Sequence, residues 1–245
     1  MRFSQAWLIA RHDMALIRSR KGIFYTLIAM PIGIAVGFAL LILYIASSGG
    51  SSSASYLPPF IDAFSFWFVI GAASVPSSIA AYGIVGEKVE KSLEPLLSTP
   101  TTDSEILLGK ALSAFVPTIL AIWAGSVLYM GLVDGWTRGT FGYLYFPNTE
   151  IAVILLLLAP LACLYAIEVS ILVSSRVTDV RSAQQFAGLV FFPLIILYIA
   201  GELGKPELNT TNLLVISGVF VVIVVALFFA STRAFRREEI LTRWK

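Results

Sequence analysis

Six long apolar runs constrain this chain more than any other feature. They lie at Ile23–Ala46, Phe60–Val85, Ile106–Val133, Glu150–Ser174, Gln184–Leu203 and Leu213–Thr232. A helix crossing the hydrocarbon core needs about 20 predominantly apolar residues, and each run meets that length. Barrel strands would alternate in polarity over short segments, whereas "IAVILLLLAPLACLYAI" is apolar throughout. The balance of 58% hydrophobic against 13% charged residues is far from that of a soluble domain. The expectation is an all-α integral membrane protein with six transmembrane helices and an N-terminal amphipathic interfacial helix. Residues 1–22 form that helix, 23–232 the membrane domain and 233–245 a basic tail.

Charge placement sets the orientation. With both termini cytoplasmic, every lysine and arginine except Arg138 and Lys205 falls on the inner side. The net charge of +2 is too small to suggest nucleic acid as a partner. The expected outer connections, "SSGGSSSASYLPP", "DGWTRGTFGYLYFPN" and "GKPELNTT", have the composition of turns and leave no room for a folded domain. The first apolar run is too long for a signal-peptide core and begins only after the amphipathic segment. Cys163, the single cysteine, rules out an intrachain disulfide. Pro31, Pro76, Pro117, Pro160 and Pro193 sit within five of the spans, where each removes a backbone donor.

The most polar long stretch is "GEKVEKSLEPLLSTPTTDSEILLGK", residues 86–110, with five acids and three lysines between two spans. Val85, Val89 and Leu93 recur at every fourth position and continue the second span as a helix. Glu87 and Lys91 stand as an i,i+4 pair. Pro95 forces a break, because the residue before a proline avoids helical geometry. Leu96 and Leu97 stand exposed beside that break, and Pro100 marks a second turn. "TDSE", Thr102 to Glu105, is a capping box that starts a new helix into the third span. Helix, leucine tip and capped helix together make a stiff hairpin.

This stretch resembles the signature region of ABC-transporter permeases of the type-2 exporter family: a glutamate-rich segment, Leu-Glu-x-Leu-Leu-x-Thr-Pro, and a helix ending in Gly-Lys. Here those positions are Leu93, Glu94, Leu96, Leu97, Thr99, Pro100, Gly109 and Lys110. "SSRVTDVRSAQQ", Ser174 to Gln185, is similar to the family's turn between its fourth and fifth spans. The resemblance implies an exporter permease that pairs with an identical or paralogous copy. A separate ATPase subunit would bind ATP and Mg, with no cofactor or metal in this chain. It further implies that residues 87–101 hold a coupling helix seated in the ATPase, using Glu87, Glu90, Leu93, Glu94, Pro95, Leu96, Leu97, Thr99 and Pro100. Leucines suited to an apolar socket, ringed by charge, agree with that assignment.

Residues 1–22 read as a basic amphipathic helix with Phe3, Trp7, Ala10, Met14 and Ile17 on one face. Trp7, Met14 and Arg18 are expected at the membrane interface; by resemblance this is the family's elbow helix. Glu168 is the one acid well inside a span, where charge costs about 2.5–3.5 kcal/mol. It reads either as functional, a cation or proton contact or a gating pair with Arg176 or Arg181, or as structural, an inter-helix hydrogen bond or a side chain snorkelling to the interface. Ser74, Ser77, Ser78 and Tyr82 form a polar patch on the second span, read as helix packing or as part of a translocation path.

Catalysis finds no foothold. His12, the only histidine, precedes all spans, and neither a His-Glu-x-x-His motif nor a phosphate-binding loop occurs. The rival readings are a stand-alone secondary transporter or channel and a scaffold that recruits a cytoplasmic protein. Nothing in spans four to six repeats the 86–110 hairpin, as an inverted repeat of three spans would require.

Overall fold

The computed structural model describes residues 3–49, 53–89, 102–176, 185, 188–204 and 209–234, and all secondary structure among them is helical. In chain order the helices are α1 (Phe3–Ser19), α2 (Lys21–Gly49), α3 (Ser53–Ser65), α4 (Trp67–Val89) and α5 (Asp103–Phe141). After these come α6 (Thr149–Val153), a π-helical turn (Ile154–Leu158), α7 (Ala159–Arg176), α8 (Phe191–Glu202) and α9 (Thr210–Ala234). Among the described residues five segments are long and apolar enough to cross a membrane: Lys21–Ser48, Leu57–Ser77, Ser104–Gly139, Thr149–Ser174 and Thr210–Arg233. The expected fifth span corresponds to a shorter apolar helical segment, Gly188–Glu202, with residues 184, 186 and 187 outside the described residues.

Three expectations are corrected. The second span is not one helix from Phe60: a turn at Phe66 divides α3 from α4, with Phe66 N–H bonded to the Ala63 carbonyl and Val69 N–H to that of Phe66. The serine-rich connection is largely helical, since α3 starts at Ser53 and contains Pro58 and Pro59. Full burial of Leu57 and Ile61 outweighs the helix-breaking tendency of the prolines. The third helix does not stop at Val133 but runs on to Phe141, ending on Gly142 in left-handed geometry at φ 77°. Its extension is held by buried Val133 and Thr137 despite Gly135 and Gly139.

The core lies where α4 packs along α7, with α5 against both. Phe66, Phe68, Ile122, Tyr129 and Leu158 are among its largest buried side chains. Helices α2 and α9 sit at the periphery, with only 22% and 17% of their apolar windows buried inside the protein. A helix that is apolar all round yet exposed over most of its surface suits lipid as its solvent. One stripe of α2 does face inward: Leu27, Pro31, Ala35, Ala39, Ile42 and Ala46 are buried at three- to four-residue spacing. Opposite it, Gly125 of α5 admits no side chain, because a Cβ there would lie 2.6 Å from Pro31 Cβ and 2.9 Å from its carbonyl oxygen.

Pro160 explains the irregularity in the fourth span. Within the π turn, Ala159 N–H donates to the Ile154 carbonyl, one residue further back than in an α-helix. The Leu155 carbonyl has then lost its α-helical donor, and the next candidate, residue 160, is a proline without one. Trp123 of α5 supplies the missing partner, its indole N–H donating to Leu155 O at 2.9 Å. Leaving a buried carbonyl unsatisfied costs about 1–3 kcal/mol. Trp123→Phe, which keeps an aromatic ring but removes the donor and part of the bulk, is therefore expected to lower thermal stability in detergent by at least that order. A melting temperature equal to the parent's would show that the carbonyl finds another partner.

Candidate functional site

The end of the bundle next to residues 90–101 is built from the start of α5 and the whole of α1. Thr102 opens α5 with the capping box: its hydroxyl accepts from Glu105 N–H at 3.3 Å, and its own N–H donates to Glu105 Oε2 at 3.0 Å. Two of the helix's orphan donors are thereby satisfied, which fixes where the helix begins. Glu105, Ile106 and Leu107 are buried within the first turn.

Helix α1 lies directly across this first turn and the next. A Cβ on Gly109 would come within 2.8 Å of the Ala6 carbonyl oxygen and equally close to Ile9 Cβ, so glycine lets the two backbones meet. Ala6 and Ala10 are fully buried at the contact. Beside it the Lys110 ammonium lies 3.6 Å from Asp13 Oδ2, with the two side chains 5% and 16% exposed. An ion pair withdrawn from water to this degree strongly resists loss of one partner. Close packing and charge together join α1 to the base of α5.

The expected interfacial residues divide between two faces. Trp7 is 43% exposed and Phe3 64%, whereas Ala6, Ala10 and Ile17 turn inward. The apolar arc read from the sequence is thus two arcs, a small-residue one on α5 and an aromatic one open to the surroundings. Arg18 is exposed and Met14 half-buried. Of the expected coupling residues, Glu87 belongs to α4 by its backbone, its side chain lying outside the description. Glu90, Leu93, Glu94, Pro95, Leu96, Leu97, Thr99 and Pro100 lie outside the described residues.

Inside the bundle, Ser77 is buried and its hydroxyl donates to the Ser74 carbonyl at 2.7 Å. Ser74 in turn reaches the Gly71 carbonyl and Met30 Sδ. The side chains of Ser78, Tyr82, Arg176 and Arg181 are outside the description. Glu168 of α7 is 5% exposed and accepts from the Ser231 hydroxyl of α9 at 2.5 Å. That is an inter-helix hydrogen bond, one of the structural readings expected for it, with Ser231 as a partner that sequence reasoning did not name. Sequence reasoning also left Asp13 without a role; small Ala6 and Ala10 one turn apart and a glycine near the start of α5 were the available signal. Among the described residues no group of three His, Cys, Asp or Glu could hold a metal ion.

A multi-pass helical membrane protein, rigidly braced at one end and apolar around its rim, is the class that this geometry defines. The profile of the ABC-2 family transporter proteins matches residues 49–232, well over half of the chain, and the chain belongs to that family. It is a transmembrane permease of the ABC-2 type, the membrane component of an ABC transporter. Comparison with curated proteins finds no significant match.

The contact between α1 and α5 can be tested directly. Gly109→Val forces side-chain atoms into the Ala6 backbone and is expected to cost about 1–3 kcal/mol, as overpacking does. A cysteine at Ala6, buried in the parent, should then react with a thiol reagent in the Gly109→Val background. Continued protection of that cysteine would mean that α1 does not depend on the contact.

Proposed function

We propose that this chain is the permease subunit of an ATP-driven exporter, working as a homodimer or with a paralogous copy above two ATPase subunits. In this reading residues 184–203 also cross the membrane, giving six spans with both termini in the cytoplasm. The apolar Gly188–Glu202 segment and the charge asymmetry support that topology. ATP and Mg are bound by the partner, and this chain contributes no ATP site.

The observation that carries the proposal is the α1–α5 junction at Gly109 and Lys110, reached within one short helical stretch of the 87–101 hairpin. A push on the hairpin enters α5 through a capped helix start and reaches α1 through a backbone-close contact. Leu93, Leu96 and Leu97 supply the apolar anchor for a socket on the ATPase, with Glu87, Glu90 and Glu94 at its rim. Pro95, Thr99 and Pro100 shape the turn. Trp7, Met14 and Arg18 hold the elbow helix at the membrane surface, and lipid is its other partner.

Leu96→Asp is expected to abolish copurification with the ATPase and ATP-driven transport while leaving membrane insertion and melting temperature unchanged. Normal copurification and activity would defeat the docking assignment. Full transport by the permease alone would favour a secondary transporter; ATPase binding without transport would favour a scaffold. Ser77, Ser78, Tyr82 and Glu168 remain candidates for the path wall. Burial of Ser77 in the present packing means that such a role requires neighbouring helices to part. Glu168→Gln keeps a hydrogen-bond acceptor for Ser231, so activity should survive if the residue is structural and vanish if its charge serves an ion.

A further inference from the structure

At the end of the bundle away from the hairpin, Asp62 joins three elements. Its Oδ2 accepts from the Tyr145 hydroxyl at 2.6 Å and its Oδ1 from the Asn148 side-chain amide at 3.3 Å. Asp62 lies on α3, Tyr145 in the 142–148 connection, and Asn148 is the N-cap of α6, its Oδ1 accepting from Ile151 N–H at 2.8 Å. The connection is itself pinned to α5, because Asp134 Oδ1 accepts the backbone N–H groups of Tyr145 and Phe146, each at 2.9 Å. The Pro58 carbonyl lies 3.2 Å from the Tyr145 hydroxyl, and Tyr129 of α5 donates to the Ile61 carbonyl at 3.0 Å. Burial, the bond to Asp62 and the nearby carboxylates push the Tyr145 phenol above its ordinary range, so it stays a donor.

Helix α3 is held to α5 and α6 by this polar set, and it joins α4 through the one-residue turn at Phe66. On its other side it packs on α2, where Phe64 stacks on Phe38 at 4.6 Å between ring centres. Further down, α2 and α5 meet at backbone distance at Pro31 and Gly125. With no side chain on the glycine, this contact can act as a fulcrum. Bonds from hydroxyl and amide to one carboxylate, in a half-exposed rim, can be exchanged for water.

We infer that Asp62, with Tyr145 and Asn148, is a latch that holds α3 down over the end of the bundle, and that releasing it lets α2 and α3 swing as a unit away from α5 and α6. This rests on the exporter reading, in which that end faces outward and must open during the cycle. Alternating arrangements of packed elements are the usual form of such motion. Asp62 is the positioning residue of the device, the turn at Phe66 is its hinge, and the close Pro31–Gly125 contact is the fixed pivot about which α2 turns.

Ile61, fully buried beside Asp62, is the reporter position. With Cys163 replaced by alanine, Ile61→Cys in right-side-out membrane vesicles is treated with a membrane-impermeant maleimide. Slow labelling is expected in that background, rising about tenfold or more on adding Tyr145→Phe or Asp62→Ala, as loss of a charge-assisted bond implies. Asp62→Asn, which retains an acceptor, should fall between. Melting temperature and monodispersity are measured alongside. Unchanged labelling in both Tyr145→Phe and Asp62→Ala overturns the latch, as does labelling that rises only in proportion to unfolded protein. None of these readings uses nucleotide or an ATPase, so failure of the docking proposal would leave them intact.

Discussion

In hydrocarbon a backbone carbonyl has no water to turn to, and that constraint organises this structure. Regular helix satisfies most of the groups automatically. The exceptions are the informative places: Pro160, which cannot donate, is accompanied by a π turn and by Trp123 reaching across from α5. Serines and threonines inside the spans return their hydroxyls to carbonyls three or four residues back, as Ser170 does to Ala166 and Thr118 to Ala114. Among the described residues, polar side chains such as Trp123, Tyr129 and Ser231 bond from one helix to another and tie those elements together.

Stiffness has a second source in the absence of side chains. Gly109 and Gly125 bring α5 against α1 near one end and against α2 near the middle, at distances no other residue permits. Contacts of this type carry little hydrophobic energy in lipid, where apolar area is not a driving force between helices, and depend on shape. Force applied at the polar start of α5 therefore has two rigid exits. One leads into the amphipathic helix at the surface, the other into the first span.

The sequence displayed the membrane class, most of the spans and the start of α5 openly, because each depends on local composition or on a short motif such as Thr102 to Glu105. Residues whose roles depend on a distant partner stayed hidden. Nothing local distinguishes Ser231 from the other serines near a helix end, and its meaning comes from Glu168 on another helix. Asp62 read as part of an apolar run until Tyr145 and Asn148 were folded against it. The small-residue face of α1 was masked by its aromatic neighbour, since one period describes both arcs. Glycines and prolines misled in the connections, where burial of Leu57, Ile61 and Thr137 decided the outcome.

Helix α5 has 39 residues, so it is about 58 Å long, nearly twice the roughly 30 Å of a hydrocarbon core. Its two basic side chains, Lys110 and Arg138, are separated along the axis by about 42 Å, close to the roughly 40–45 Å of a bilayer with its headgroups. A rod of this kind does not need the lipid to match it. In a thinner or thicker membrane the waterline can shift along the shaft while the helix stays whole, so changes in acyl-chain length should bear on the shorter apolar segments first.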